Sequence, residues 1–263
     1  MTPPVPPAST WFRTFHPRPD ARITLVCLPY AGGSAGAFFS LSERLPAGIE
    51  VLVAQYPGRQ DRIREPCLST VPELAQGAFE ELGARVADRP FALFGHSMGG
   101  AVAFELARLL ERHGPAAPRM LFVSGRRAPS IAADRGVRFL DDAGLFEKLR
   151  ELEGTDSRIL DEPELLRLVL PAVRADYGAA ETYHTRADAV VGSPVVALAG
   201  DRDAHVRLEE AAAWRGHTTG AFDLKVFPGG HFFLTDHEPE IAALLTDTLR
   251  ATTRPGPVAG RPE

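Results

Sequence analysis

Short apolar runs alternate along the chain with stretches whose apolar residues return at helical spacing. Ile23-Thr24-Leu25-Val26-Cys27-Leu28 is nearly continuous in apolar character, the mark of a strand buried on both faces of a parallel sheet. Glu50–Ala54, Phe91–Phe94, Met120–Val123, Pro194–Ala199 and Phe222–Phe227 read as further strands. Trp11–His16 mixes apolar and polar residues and suits a half-buried edge strand. Between the runs, Leu74, Ala78, Leu82 and Val86 fall on one face of a helix over Val71–Val86. Helices are also predicted over Ala101–Leu110, Arg207–Trp214 and Pro239–Arg250. Strands alternating with helices imply an α/β domain, with a mostly parallel central sheet flanked by helices and right-handed crossovers. In such a sheet ligands bind beyond the carboxyl ends of the strands. The unusual turns of this chain all follow strands, so they gather on one edge.

From Val137 to about Tyr183 the rhythm changes and no strand is evident. Leu145, Phe146, Leu149 and Leu152 mark an amphipathic helix. Asp161-Glu162-Pro163 is a helix-start signal, with acids and a proline in the first turn. The helix continues over Leu165–Val173, with a kink expected at Pro171. The chain thus divides into a core over residues 11–136 and 185–250 and a helical insertion over 137–184. The proline-rich lead 1–10 and the tail 251–263 are expected to be disordered.

The turn after Phe91–Phe94 carries the candidate chemistry. It reads Gly95-His96-Ser97-Met98-Gly99-Gly100 and runs into a helix. A strand, a Gly-x-Ser-x-Gly turn too tight for side chains at its glycines, and a helix together hold Ser97 at the tip of the turn. A serine hydroxyl is a poor nucleophile near neutral pH, so it needs a base, and the base needs an orienting acceptor. His231 suits the base, because Val226-Phe227-Pro228-Gly229-Gly230-His231 is a strand end followed by a glycine-rich turn. Of the eight histidines, His16, His113, His184, His217 and His237 sit among polar residues and read as surface groups. His96 lies inside the turn and is badly placed to face Ser97, and His205 sits one strand early. The acid belongs on the loop Gly200-Asp201-Arg202-Asp203. Asp203, further out, is preferred; Asp201 suits a turn cap, and spacing alone does not separate the two. The order Ser97, Asp203, His231 is that of an α/β-hydrolase. Two N–H groups are then required for a tetrahedral oxyanion. Met98 follows the serine directly, and Ala31, in Tyr30-Ala31-Gly32-Gly33, follows an earlier strand.

Composition adds bounds. The length of 263 residues, 44% hydrophobic and 24% charged, suits one α/β domain with an insertion. A net charge of −5 argues against a nucleic-acid partner. No apolar stretch approaches a membrane span, and the N-terminal residues do not resemble a secretory signal. Two cysteines, Cys27 and Cys67, make a disulfide framework improbable and fit a cytoplasmic protein.

Taken together, Leu28-Pro29-Tyr30-Ala31-Gly32-Gly33-Ser34, Tyr56-Pro57-Gly58-Arg59, Gly95-His96-Ser97-Met98-Gly99-Gly100, Pro171-x-x-Arg174-Ala175-Asp176-Tyr177 and Gly229-Gly230-His231-Phe232-Phe233-Leu234 resemble the type II thioesterases. These are stand-alone hydrolases that accompany polyketide and non-ribosomal peptide synthases, and the resemblance spans about residues 11–250. It implies hydrolysis of acyl groups from the phosphopantetheine arm of an acyl or peptidyl carrier protein, clearing stalled or wrong units. A monomer is expected, with no metal or bound cofactor, phosphopantetheine belonging to the partner. The helical insertion resembles the lid of that family. Carrier proteins are usually acidic, so docking to a net acidic chain wants a local basic patch. Arg59, Arg62, Arg126 and Arg127 lie in loops on the active edge, and Arg59, Arg126 and Arg127 are candidate contacts to the carrier or its phosphate. A carboxylesterase or lipase, an acyltransferase, and enzymes releasing medium-chain fatty acids from fatty acid synthase would use the same triad, so the triad does not separate them.

Overall fold

The computed structural model describes residues 11–132, 136–151 and 163–253. Leu152, Asp161-Glu162, the lead 1–10 and the tail beyond Thr253, each part of the sequence reading, lie outside these residues. A seven-stranded sheet runs in the order β1-β3-β2-β4-β5-β6-β7. Its strands are β1 (Phe12–Arg13), β2 (Ile23–Leu28), β3 (Ile49–Ala54), β4 (Phe91–His96), β5 (Leu121–Ser124), β6 (Val195–Gly200) and β7 (Phe222–Phe227). Only β1 is antiparallel, with Phe12 opposite Ala54; β2 to β7 are parallel to their neighbours. The helices are α1 (Phe39–Arg44), α2 (Val71–Val86), α3 (Met98–His113), α4 (Asp142–Glu151), α5 (Pro163–Thr182), α6 (Leu208–Ala212), α7 (Phe233–Asp236) and α8 (Glu238–Thr253).

Successive side chains of a strand point to opposite faces, and both faces here are covered. In β2, Val26 and Leu28 join a core with Leu74 and Leu82 of α2 and Phe104 and Leu106 of α3. Leu25 and Cys27 join a second core with Leu41 of α1 and Leu245 and Leu249 of α8. That is why the central strands read as unbroken apolar runs. The edge strand β7 tolerates Asp223 and Lys225, which pair at 2.8 Å, because its outer positions meet water. β1 is shorter than expected. Phe15 and His16 turn away from the sheet and pack on Phe39, and Pro17 and Pro19 follow with no N–H to extend a ladder.

The insertion builds its own small core from Val137, Leu145, Leu170 and Val173. α5 does not stop near Val173 but runs through Pro171 to Thr182 as one helix. An interior proline costs about 3 kcal/mol, and buried Leu170, Ala172, Val173 and Ala179 on this helix offset it through packing. α8 also continues to Thr253, into the stretch expected to be a disordered tail. The short helices α1 and α7 lack an apolar period long enough to stand out in the sequence.

Two glycines of α2 give opposite expectations. A Cβ at Gly77 would lie 2.0 Å from Trp11 Cζ2. Trp11 cannot easily yield, because its backbone N–H donates to Glu81 Oε2 and its ring lies under Arg62. A Cβ at Gly83 would meet Pro115 at an ordinary 3.7 Å. Gly83→Ala is expected to stabilise the fold by up to about 1 kcal/mol through helix propensity. Gly77→Ala is expected to destabilise it by about 1–3 kcal/mol through overpacking. Urea-unfolding midpoints of the two variants should move in opposite directions.

Candidate active site

Ser97 sits between β4 and α3 with φ 54° and ψ −118°, a conformation that costs a non-glycine residue on the order of 1–3 kcal/mol. The surrounding backbone imposes it. A Cβ on Gly95 would lie 2.0 Å from the Gly99 carbonyl oxygen, and one on Gly99 would lie 1.9 Å from that of Leu28. The Ser97 N–H donates to Ser124 O at 2.7 Å, tying the turn to the end of β5.

The loops after β6 and β7 meet the serine. His231 Nε2 is 2.9 Å from Ser97 Oγ, and His231 Nδ1 is 2.8 Å from Asp203 Oδ2. The other oxygen of Asp203 accepts the N–H groups of His205 at 2.7 Å and Val206 at 3.3 Å. Burial raises the Asp203 pKa, but the bond and charge of His231 and the His205 N–H outweigh it and hold the carboxyl below its ordinary value. Asp201, the alternative acid, instead accepts the Gly229 N–H at 2.8 Å. It caps the turn that carries His231.

His96 is buried, and its Nδ1 is 2.9 Å from Ser124 Oγ. It packs beside His231 with ring centroids 5.3 Å apart. His217 corrects the surface reading: it is 2% exposed, with Nδ1 donating to Ala189 O and Nε2 bonded to Ser130 Oγ. The polar residues around it in sequence conceal that it sits under Trp214 and Phe104.

A pocket enclosing about 800 Å³, the open solvent at its mouth included, lies over Ser97 and His231. Tyr30, Ile131, Val137, Val206 and Phe232 supply apolar wall, and α5 closes one side with Tyr177 and Ala180. Ala31 lines the cavity. Met98 opens α3, where the first amides have no intrahelical acceptor. Ala31 thus shares the cavity with Ser97, and Met98 follows Ser97 directly at the start of α3.

The arginines do not form an exposed docking patch. Arg59 is 5% exposed and binds Asp176 through both terminal nitrogens, at 2.6 and 2.9 Å. Its guanidinium is consumed inside the protein, which removes it as a carrier contact. Arg62 is also buried, bonded to Glu65 and to Gln55 O. Arg126 is half-buried in the cavity wall and donates to Ala180 O of α5; burial and the neighbouring Arg127 push its pKa down to about 10. Arg127 donates to His205 O, on the loop carrying Asp203. Arg126 and Arg127 thus both line the cavity, each tied to a backbone carbonyl beside it.

Asp176 escaped the reading of individual residues, although it lies within a recognised motif. It falls on the helical stripe of Ala172, Ala179 and Tyr183, and an acid on a stripe of small and apolar residues signals a buried partner. Among the described residues, no group of three or more His, Cys, Asp or Glu could hold a metal ion, and no helix is long and apolar enough to cross a membrane.

A mostly parallel sheet whose strand ends bring a serine-bearing turn together with later Asp and His loops is the architecture of the α/β-hydrolases. Within that class the chain belongs to the thioesterase family, whose thioesterase domain matches residues 23–249. It is 52% identical over 242 residues to thioesterase PikA5 of Streptomyces venezuelae, covering 92% of this chain and 86% of that one. It is 35% identical over 246 residues to the gramicidin S biosynthesis protein GrsT of Aneurinibacillus migulanus, covering 93% and 96%. The structure of BorB, a type II thioesterase from the borrelidin biosynthetic cluster, superposes with a TM-score of 0.84 at 43% identity, covering 93% and 98%. The chain is a serine hydrolase of this kind.

The site makes stability depend on pH. Burial, with His231 alongside, pushes the His96 pKa from 6.5 to about 3, against the opposing pull of Asp203. Between these values the unfolded chain takes up a proton that the folded chain refuses. Stability therefore falls as pH falls through this window, by up to about 1.4 kcal/mol per pH unit. Asp203 acts in the same direction at lower pH, because its depressed pKa contributes stability that is lost as pH falls through the folded value. Urea unfolding at a series of pH values should show a flatter acid slope for His96→Asn than for the wild type. Equal slopes would refute the assignment.

Proposed function

We propose that this chain hydrolyses acyl groups from the phosphopantetheine arm of acyl or peptidyl carrier proteins, removing stalled or wrong units during polyketide or non-ribosomal peptide assembly. The observation that carries the reading is the line Ser97–His231–Asp203 beneath a cavity closed by the helical insertion. Similarity to the thioesterase PikA5, to the gramicidin S biosynthesis protein GrsT and to the type II thioesterase BorB of the borrelidin biosynthetic cluster supports the substrate class. The insertion over residues 137–184 acts as a lid that keeps water from the acyl group.

In this mechanism His231 Nε2 takes the Ser97 proton while Oγ attacks the thioester carbonyl. Asp203 holds the imidazole with Nδ1 protonated and stabilises the imidazolium. The N–H groups of Ala31 and Met98 stabilise the oxyanion. The C–S bond breaks, His231 gives its proton to the departing phosphopantetheine thiol, and acyl-Ser97 remains. His231 then deprotonates a water that attacks the ester, and the proton returns to Ser97 as the free acid leaves. The chain needs no resident cofactor for these steps; phosphopantetheine arrives on the carrier. Cys27 and Cys67 are both free thiols, which supports a reducing, cytoplasmic site of action.

The test is hydrolysis of a panel of acyl-phosphopantetheinyl carrier proteins beside matched p-nitrophenyl esters. Carrier-bound thioesters are expected to be preferred in kcat/KM; far better cleavage of simple esters would overturn the carrier assignment. Ser97→Ala should abolish turnover on both. Asp203→Asn should lower kcat on the order of 10⁴-fold by favouring the wrong tautomer of His231. Asp201→Asn keeps an acceptor for the Gly229 N–H and should stay within about tenfold of wild type. Comparable losses for the two aspartates would refute the assignment of the acid.

A further inference from the structure

The insertion touches the loop bearing Ala31 through one buried carboxylate. Asp176, on α5, has no exposed surface. Its Oδ2 accepts the Gly32 N–H at 2.7 Å and Arg59 Nη1 at 2.6 Å, and its Oδ1 accepts Arg59 Nη2 at 2.9 Å. Arg59 Nη1 also reaches Gly33 O at 3.1 Å. The pair therefore binds the loop on both sides of Gly32. Gly32 has φ +77°, and a Cβ there would stand 3.2 Å from Val173 Cγ2, also on α5.

These bonds orient Ala31. The Gly33 N–H donates to Tyr30 O at 2.9 Å. In a trans peptide the N–H points opposite to the C=O, so the Ala31 N–H, on the same peptide as Tyr30 O, points away from Gly33. The next peptide is pinned at its N–H end by Asp176. With both of its flanking peptides tethered, Ala31 has little freedom to turn its N–H. Stability alone does not account for this pair, since a buried ion pair is often no better than a packed apolar one.

We infer that Asp176 and Arg59 are positioning residues for the oxyanion hole, so that the Ala31 N–H is held in place only while α5 is seated on the sheet. The inference rests on the mechanism proposed above, in which Ala31 is an oxyanion donor. Lifting α5 withdraws the acceptor from Gly32 and leaves Arg59 without its carboxylate. Seating the lid and completing the oxyanion hole are then one event.

The test separates acceptor from charge. Arg59→Met/Asp176→Leu removes the pair and leaves the Gly32 N–H without an acceptor. Arg59→Met/Asp176→Asn removes the charges but keeps a carbonyl for that N–H. Both are to be assayed well below their melting temperatures, on a carrier-bound thioester and on a small ester. The Leu double variant is expected to lose about 10²-fold in kcat on both substrates, with KM within about threefold. Its affinity for a trifluoromethyl ketone inhibitor should fall in proportion to kcat. The Asn double variant should recover kcat to within about tenfold of wild type. Equal kcat in the two variants, or a Leu variant as fast as wild type, would overturn the inference and leave the pair a structural tie. Ser97→Ala run alongside keeps the two ideas apart, because residual turnover there sinks the mechanism itself. If a variant does not fold, amide exchange in the wild type decides. The Gly32 amide should be protected together with α5, and fast exchange of Gly32 beside a protected α5 would overturn the inference.

Discussion

The contact between the start of α3 and the ends of β2 and β4 governs this molecule. The backbone at Gly99 comes so close to the Leu28 and Pro29 carbonyls that no side chain fits, and Gly95 is equally close to Gly99. That approach forces Ser97 into a positive φ and lifts its hydroxyl above the sheet. It also sets the distance between the Ala31 loop at the end of β2 and the N-terminus of α3. The parallel register of β4, β5, β6 and β7 then delivers the Asp203 and His231 loops to the same edge. The strain at Ser97 is sustained by a sheet buried on both faces, since any relaxation of the turn would have to move a central strand.

The chemistry of the edge is local and the support beneath it is not. Asp203 is held by backbone amides of its own loop, and Asp201 caps the neighbouring turn. His96 contributes bulk rather than charge: buried and neutral, its ring fills the space beside His231 and against Tyr30 and Phe232. Farther out, Trp214 donates to Arg126 O, and Tyr183 donates to Glu105. These bonds tie the cavity wall to α3 and to the segment after α6.

Much of this was legible in the sequence because it is written in short-range pattern. Continuous apolar runs marked the central strands, and glycines marked places where backbone meets backbone. Ser97, His231 and the loop holding Asp201 and Asp203 each follow such a run, so topology brings them to one edge, whereas spacing does not separate the two acids. What was not legible depended on contacts across long sequence separations. Arg59 looked like a loop cation, yet it is paired with Asp176 across 117 residues. His217 looked exposed because its neighbours are polar, yet it lies against Phe104 and Trp214. Leu165–Val173 read as the extent of the helix, but packing carries α5 through Pro171 to Thr182. The brevity of β1 came from Phe15 and His16 finding Phe39, a contact that no periodicity announces.

The cavity wall draws on parts of the chain that hold none of the reacting atoms. The serine, histidine and aspartate stand on turns just beyond strand ends, whereas part of the enclosure comes from the insertion and from Ile131. Drift in the insertion can therefore recut the pocket for longer, branched or more polar acyl groups without disturbing the edge of the sheet. That freedom has a boundary at one turn of α5, where Val173 meets Gly32 and Asp176 meets Arg59. A lineage adapting to a new assembly line would be free to rewrite most of its lid but would carry that turn along unchanged.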